Sequence, residues 1–135
     1  MDDDSHGWSD DRRSVDVPRW ADVLGERTAQ ARAQRDALRA AIEETREARS
    51  LMFADDEHDP DGSTASLDQA RDVALLARTE QTLAELAAAG QRLADGTYGQ
   101  CRNCHRTIGA ERLLARPETA VCVSCAAVAG RRRRG

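Results

Sequence analysis

The chain contains no lysine: all 20 of its basic residues are arginine. With its many alanines, that bias reflects a GC-rich genome rather than a mechanism. Aromatic residues make up only 3% and charged residues 33%, which excludes a large globular core. No apolar run approaches the roughly 20 residues of a membrane-spanning helix. The opening Met1-Asp2-Asp3-Asp4-Ser5-His6 is not the charged-then-apolar start of a secretory signal, so a cytoplasmic, reducing setting is expected. A net charge of −4 argues against bulk nucleic-acid binding, which needs a basic face. There are no internal repeats, and no nucleophile, general base or phosphate-binding loop stands in a plausible pocket. The chain does not read as an enzyme.

What the chain does have is concentrated between Tyr98 and Cys125. All four cysteines lie there, as Cys101-x2-Cys104 and Cys122-x2-Cys125 with 17 residues between the pairs. Two residues between thiolates let one turn of chain aim both sulfurs at one ion, and two such knuckles complete the tetrahedron Zn²⁺ prefers. A stretch this short and this poor in apolar bulk cannot hold a shape by burial. A structural zinc supplies roughly 10 kcal/mol or more of folding free energy. Rival readings are weaker. Two disulfides fit an exported protein. A haem attachment at Cys101-x2-Cys104-His105 leaves the second pair unexplained and finds no nearby Met as axial ligand. A catalytic zinc keeps an open position, whereas four thiolates close the shell. The expected metal ligands are Cys101, Cys104, Cys122 and Cys125, holding one structural Zn²⁺.

The rest is expected to be an all-α coiled-coil hairpin with the small four-cysteine module at its base. Residues 1–19 are acidic, with Asp2, Asp3, Asp4, Asp10 and Asp11 around Trp8, and are expected to be a disordered tail. Residues 20–95 are expected to form the hairpin, the module to span 96–128, and 129–135 to be an arginine-rich tail. In the first helix Leu24, Ala31, Leu38, Thr45 and Met52 fall seven apart, beside Ala41, Ile42 and Ala48, a narrow coiled-coil seam. Pro60 and Gly62 break it. The second helix is expected to start between Ser63 and Ser66, where Ser66 and Gln69 have capping-box spacing. Its seam is Leu76, Thr79, Leu83, Leu86, Gly90 and Leu93, widened by Val73 and Leu75. Asp95-Gly96 ends it. Beyond the second knuckle, Ala126–Gly130 is expected to be a short helix ending in Arg131–Arg134, a run that either meets phosphates or an acidic surface or is a frayed, solvated end.

Between the helices, near 55–62, lie five acids in seven residues: Asp55, Asp56, Glu57, Asp59 and Asp61. Helix capping accounts for one or two of them. The register and closing Glu of a calcium loop are missing, and an exposed tip lacks the burial that tunes a catalytic carboxylate.

The sequence resembles the DksA/TraR zinc-finger transcription regulators of bacteria. The resemblance rests on Tyr98-Gly99-x-Cys101-x2-Cys104, Ile108-Gly109-x2-Arg112-Leu113-x-Ala115-Arg116-Pro117 and Cys122-x2-Cys125, and on the order hairpin, acidic tip, second helix, zinc module. It implies a protein that binds RNA polymerase rather than promoter DNA; no membrane partner is expected, given the lack of a long apolar run. Such a protein places its coiled-coil tip in the polymerase secondary channel and modulates initiation, in some members with the alarmone ppGpp. Asp59-Pro60 matches the family's tip Asp-Pro. The family's second tip aspartate falls at Gly62, with Asp61 one residue short. Asp59, Asp61 and Asp56 are the implied partner-binding residues, and no ppGpp contacts map onto this chain. His105 stands where the family usually has glycine after the first cysteine pair. A zinc-stapled adaptor for another protein, or a thiol switch that releases zinc on oxidation, is the alternative the residues leave open.

Overall fold

The computed structural model describes residues 16–55 and 62–134. Among the described residues four helices follow in order: α1 Val17–Asp55, α2 Gly62–Asp95, α3 Ala110–Ala115 and α4 Val123–Arg134. Among the described residues there is no strand, only an isolated antiparallel bridge between Gln100 and Thr107. The described helices include none long and apolar enough to cross a membrane.

Helix α1 opens at Val17, ahead of the expected 20. Asp16 caps it, its carboxylate accepting the Arg19 N–H at 3.2 Å while its carbonyl accepts from Trp20 at 3.0 Å. Pro18 is tolerated because a first-turn residue has no intrahelical acceptor for the N–H that proline lacks. Helix α2 likewise begins earlier than expected, at Gly62, so Ser66 lies inside it and is not a cap. Gln69, the expected partner in that cap, instead accepts a 2.6 Å hydrogen bond from the Arg49 guanidinium on α1. The end of α2 matches expectation. Gly96 takes φ 83°, Thr97 N–H reaches back to the Arg92 carbonyl at 2.9 Å and Gly96 N–H to that of Leu93 at 3.4 Å. This Schellman pairing needs a left-handed residue, and glycine adopts it at no steric cost.

The chain divides into two units, Thr28–Ala84 and the residues up to Arg27 together with those from Glu85 onward. In the Thr28–Ala84 unit α1 and α2 run antiparallel, for Arg39 pairs with Glu80 and Arg49 with Gln69. Ala31, Ile42 and Thr79 are buried and Leu38, Thr45, Leu75, Leu76 and Leu83 half-buried, the thin seam of a coiled coil. Thr79 and Thr45 lie on it by turning their hydroxyls onto the carbonyls four residues back, Leu75 and Ala41, each at 2.9 Å. Two expected seam residues are exposed. Ala48 gives way to the half-buried Arg49, which reaches Gln69 on α2; Val73 faces solvent. Met52 lies outside the described side chains.

The other unit holds the denser core: Trp20, Leu24, Leu86, Ala89, Leu93, Tyr98, Cys101, Ile108, Leu113 and Pro117. Here α2 buries Ala89 completely and leaves Gly90 exposed, the reverse of the heptad expectation. In this unit α2 also meets the cysteine-bearing chain, through Arg92 at the Glu118 and Thr119 carbonyls, so the covered stripe departs from a two-helix seam.

Candidate metal centre

The first knuckle is shaped by backbone hydrogen bonds. Ile108 N–H donates to the Gly99 carbonyl at 2.7 Å and Cys101 N–H to that of Arg106 at 2.8 Å, folding 99–108 back on itself. His105 N–H closes the turn onto the Cys101 carbonyl at 2.9 Å. To do so His105 takes φ 63°, in the left-handed region that side chains other than glycine's disfavour. Gly99, at φ 85°, meets the same demand without that cost. His105 therefore stands where the backbone calls for glycine.

The second knuckle is held by arginines that replace a core. Arg112 on α3 donates to the Val121 carbonyl at 2.9 Å and to the Thr119 hydroxyl at 3.2 Å. Arg92 on α2 spans the Glu118 and Thr119 carbonyls, both at 3.3 Å. Partial burial, then the nearby Arg102 cation, lower the Arg92 pKa, though a guanidinium stays charged throughout. Arg102 N–H joins the two knuckles by donating to the Ala120 carbonyl at 2.9 Å. The turn between them is anchored by Tyr98, whose hydroxyl donates to the Pro117 carbonyl at 2.8 Å. The Tyr98 ring lies 5.6 Å from that of Trp20, tilted by 51°. Arg27 on α1 adds a 3.2 Å bond to the Leu114 carbonyl.

These supports bring the sulfurs of Cys101, Cys104, Cys122 and Cys125 within 4.8 Å of one another. Cys101 is fully buried, Cys122 and Cys125 half-covered, and Cys104 exposed. The Cys104 and Cys122 sulfurs are 3.7 Å apart. A tetrahedron with ~2.3 Å metal–sulfur bonds has edges of about 3.8 Å, so this spacing fits Zn²⁺. The local electrostatics favour negative sulfur at Cys101 and Cys122. Burial opposes ionisation at Cys101, but the backbone N–H groups of Cys104, Cys122 and Asn103 outweigh it and bring its pKa down to about 6. At Cys122 the Cys125 N–H lowers the pKa against burial. Cys125 keeps the proton, pushed up to about 12 mainly by donating to Cys122 and Cys101. Four sulfurs this close fit one structural zinc, and with all four engaged no position is left for substrate.

The site thus joins the four expected cysteines. Asp56, Asp59 and Asp61 lie outside the described residues. The supporting side chains Trp20, Arg92 and Arg112 were not singled out as structural in the sequence reading. One signal for Trp20 was available: an aromatic in the first turn of a long helix, in a chain with only two tryptophans, one tyrosine and one phenylalanine.

Fold and site together define a class, helical-hairpin proteins carrying a four-cysteine zinc module. Within it, residues 96–129 match the prokaryotic dksA/traR C4-type zinc finger. The solved structure of transcription factor DksA2 from Pseudomonas aeruginosa is similar to this chain, with a TM-score of 0.52 and 26% sequence identity over 92% of this chain and 96% of that one. No curated protein matches the chain. The resemblance read from the cysteine module and the helix order is borne out by both findings.

Proposed function

We propose that this protein is a transcription regulator that binds RNA polymerase, enters its secondary channel with the acidic segment between α1 and α2, and modulates initiation. The observation that carries the reading is the likeness to the DksA2 transcription factor along nearly the whole of both chains, joined to the dksA/traR zinc finger at 96–129. That likeness is to a transcription factor rather than to an enzyme. In this reading Cys101, Cys104, Cys122 and Cys125 ligate a structural zinc, and Asp59, Asp61 and Asp56 meet the polymerase. The zinc supplies folding energy; the chain's own carboxylates supply the contact.

The test is retention of core RNA polymerase by the zinc-loaded protein, wild type beside the Asp59→Ala/Asp61→Ala variant. Both proteins are expected to bind, while only the wild type alters open-complex lifetime. Failure of the wild type to bind at micromolar concentration would sink the polymerase reading and favour an adaptor for another protein.

A further inference from the structure

Helix α4 has an outward face that the fold leaves uncovered. Its exposed positions are Val123, Ser124, Ala127, Val128, Arg131 and Arg132, the three- and four-residue spacing of one helix stripe. Cys125, Ala126, Ala129 and Gly130 form its half-covered side. An outward stripe is expected to be polar, yet Val123 is 64% and Val128 44% exposed, with Leu114 of α3 at 45% in the same unit. The stripe contains no acid and ends in arginine. Among the described residues no carboxylate pairs with Arg131 or Arg132.

The chain itself contains a complementary segment. Residues 1–15 carry five aspartates against two arginines, and Trp8 is their one aromatic residue. Asp10 and Asp11 follow Trp8 at two and three residues. On α4, Arg131 and Arg132 follow Val128 at three and four, which on a helix puts them one turn further along the same face. Apolar group and charges are therefore paired in the same order on both segments. Reach is ample. The 15 residues leave the structure at Asp16, which caps α1 in the unit that also holds α4. The eight residues from Trp8 to Asp16 span about 16 Å when flexible and about 27 Å when extended. α4 itself spans about 18 Å. Tethering raises the local concentration of the segment to roughly millimolar, so individually weak ion pairs and one indole contact suffice to populate the contact.

We propose that the acidic N-terminal segment, through Trp8, Asp10 and Asp11, docks onto the Val128–Arg131–Arg132 face of α4. An indole beside guanidinium groups gains from cation–π attraction as well as apolar burial. The contact is electrostatic in large part and weakens with salt.

The test is NMR on the full-length, zinc-loaded protein, following the Trp8 indole N–H and the α4 amides. In the wild type, raising the salt concentration is expected to shift the Trp8 indole and the Val128, Arg131 and Arg132 amides together. The Asp10→Arg/Asp11→Arg variant and the Arg131→Asp/Arg132→Asp variant each lose that joint shift, and combining the two exchanges restores it. Zinc stoichiometry and helicity, unchanged across the set, separate loss of contact from loss of fold. A Trp8 indole that is insensitive to the α4 exchange overturns the proposal. So do α4 shifts that scale with protein concentration, which assign the face to a second copy, and α4 shifts that arise only on adding polymerase, which assign it to that partner.

Discussion

His105 is the residue at which this sequence pays for its turn. Both hydrogen bonds it makes use backbone atoms, its N–H to Cys101 and its carbonyl from Gln100, so the imidazole is not needed for either. His105→Gly is therefore expected to relieve about 1–2 kcal/mol of left-handed strain, offset by about 0.4–1 kcal/mol of unfolded-state entropy. The net is a small gain in stability. His105→Val, β-branched at the same φ, is expected to lose stability. Denaturant titration of the zinc-loaded proteins checks the order Gly, His, Val; a Val variant as stable as wild type would show the turn to be unstrained.

Tyr98, the only tyrosine, gives a second measurement at this scale. Burial raises its pKa to about 12 against the opposing Arg92 cation, with the Glu118 carboxylate adding to the rise. An elevated folded-state pKa stabilises the protein below the unfolded value of about 10, and that contribution is lost as pH rises through about 12. Tyrosinate absorbance is expected to titrate near 12 with zinc bound and near 10 in denaturant. Coincident midpoints would mean that the hydroxyl is not held.

At the scale of elements, α3 is a bracket for the second knuckle. Arg112 reaches both Val121 and Thr119 from this six-residue helix, orienting the chain that leads into Cys122. Supporting groups of this kind typically change metal affinity by about 10- to 100-fold. Arg112→Ala is expected to weaken zinc binding within that range. Arg112→Lys should rescue it poorly, since a single ammonium cannot reproduce the planar two-point donation. Competition with a chromophoric chelator measures both variants.

The elements also divide by how far the sequence disclosed them. Cysteine spacing and the Gly96 stop were legible because each is a local rule, metal geometry in one case and left-handed backbone in the other. The start of α2 was misread because Ser66 and Gln69 satisfy a capping pattern that Gln69 abandons for Arg49, a partner 20 residues away. The exchange of Gly90 for Ala89 has the same origin: a heptad describes two helices, and that face of α2 lies in a unit with a further stretch of chain. The roles of Arg92 and Arg112 were hidden because their acceptors are main-chain carbonyls, which carry no side-chain signature. The C-terminal helix was expected to start at Ala126 and end in the arginines; it ends there, at Arg134, but opens earlier, at Val123. Cations at a helix C-terminus are favoured by its dipole.

For the whole molecule the controlling variable is zinc. The cysteine module buries little beyond Tyr98, Cys101, Ile108, Leu113 and Pro117, and its knuckles otherwise depend on hydrogen bonds. Chelation is expected to abolish cooperative folding of the 96–129 region. Acid is expected to act in the same direction, because protons compete for the sulfurs. Circular dichroism and amide exchange, with and without chelator, follow both; protection of 96–129 that survives full zinc removal would show the metal to be dispensable for folding.

The position of the second cysteine pair has one more consequence. Cys122 caps α4, its carbonyl accepting the Ala126 N–H at 3.0 Å, and Cys125 lies within the first turn. A helix of 12 residues is marginal in water because its first turn must be nucleated at a statistical weight of about 0.001. With both sulfurs on one ion that turn is already wound, and only propagation remains. The arginines at the far end are then ordered by an event two to three turns away, so their helical content reads out whether the metal is bound.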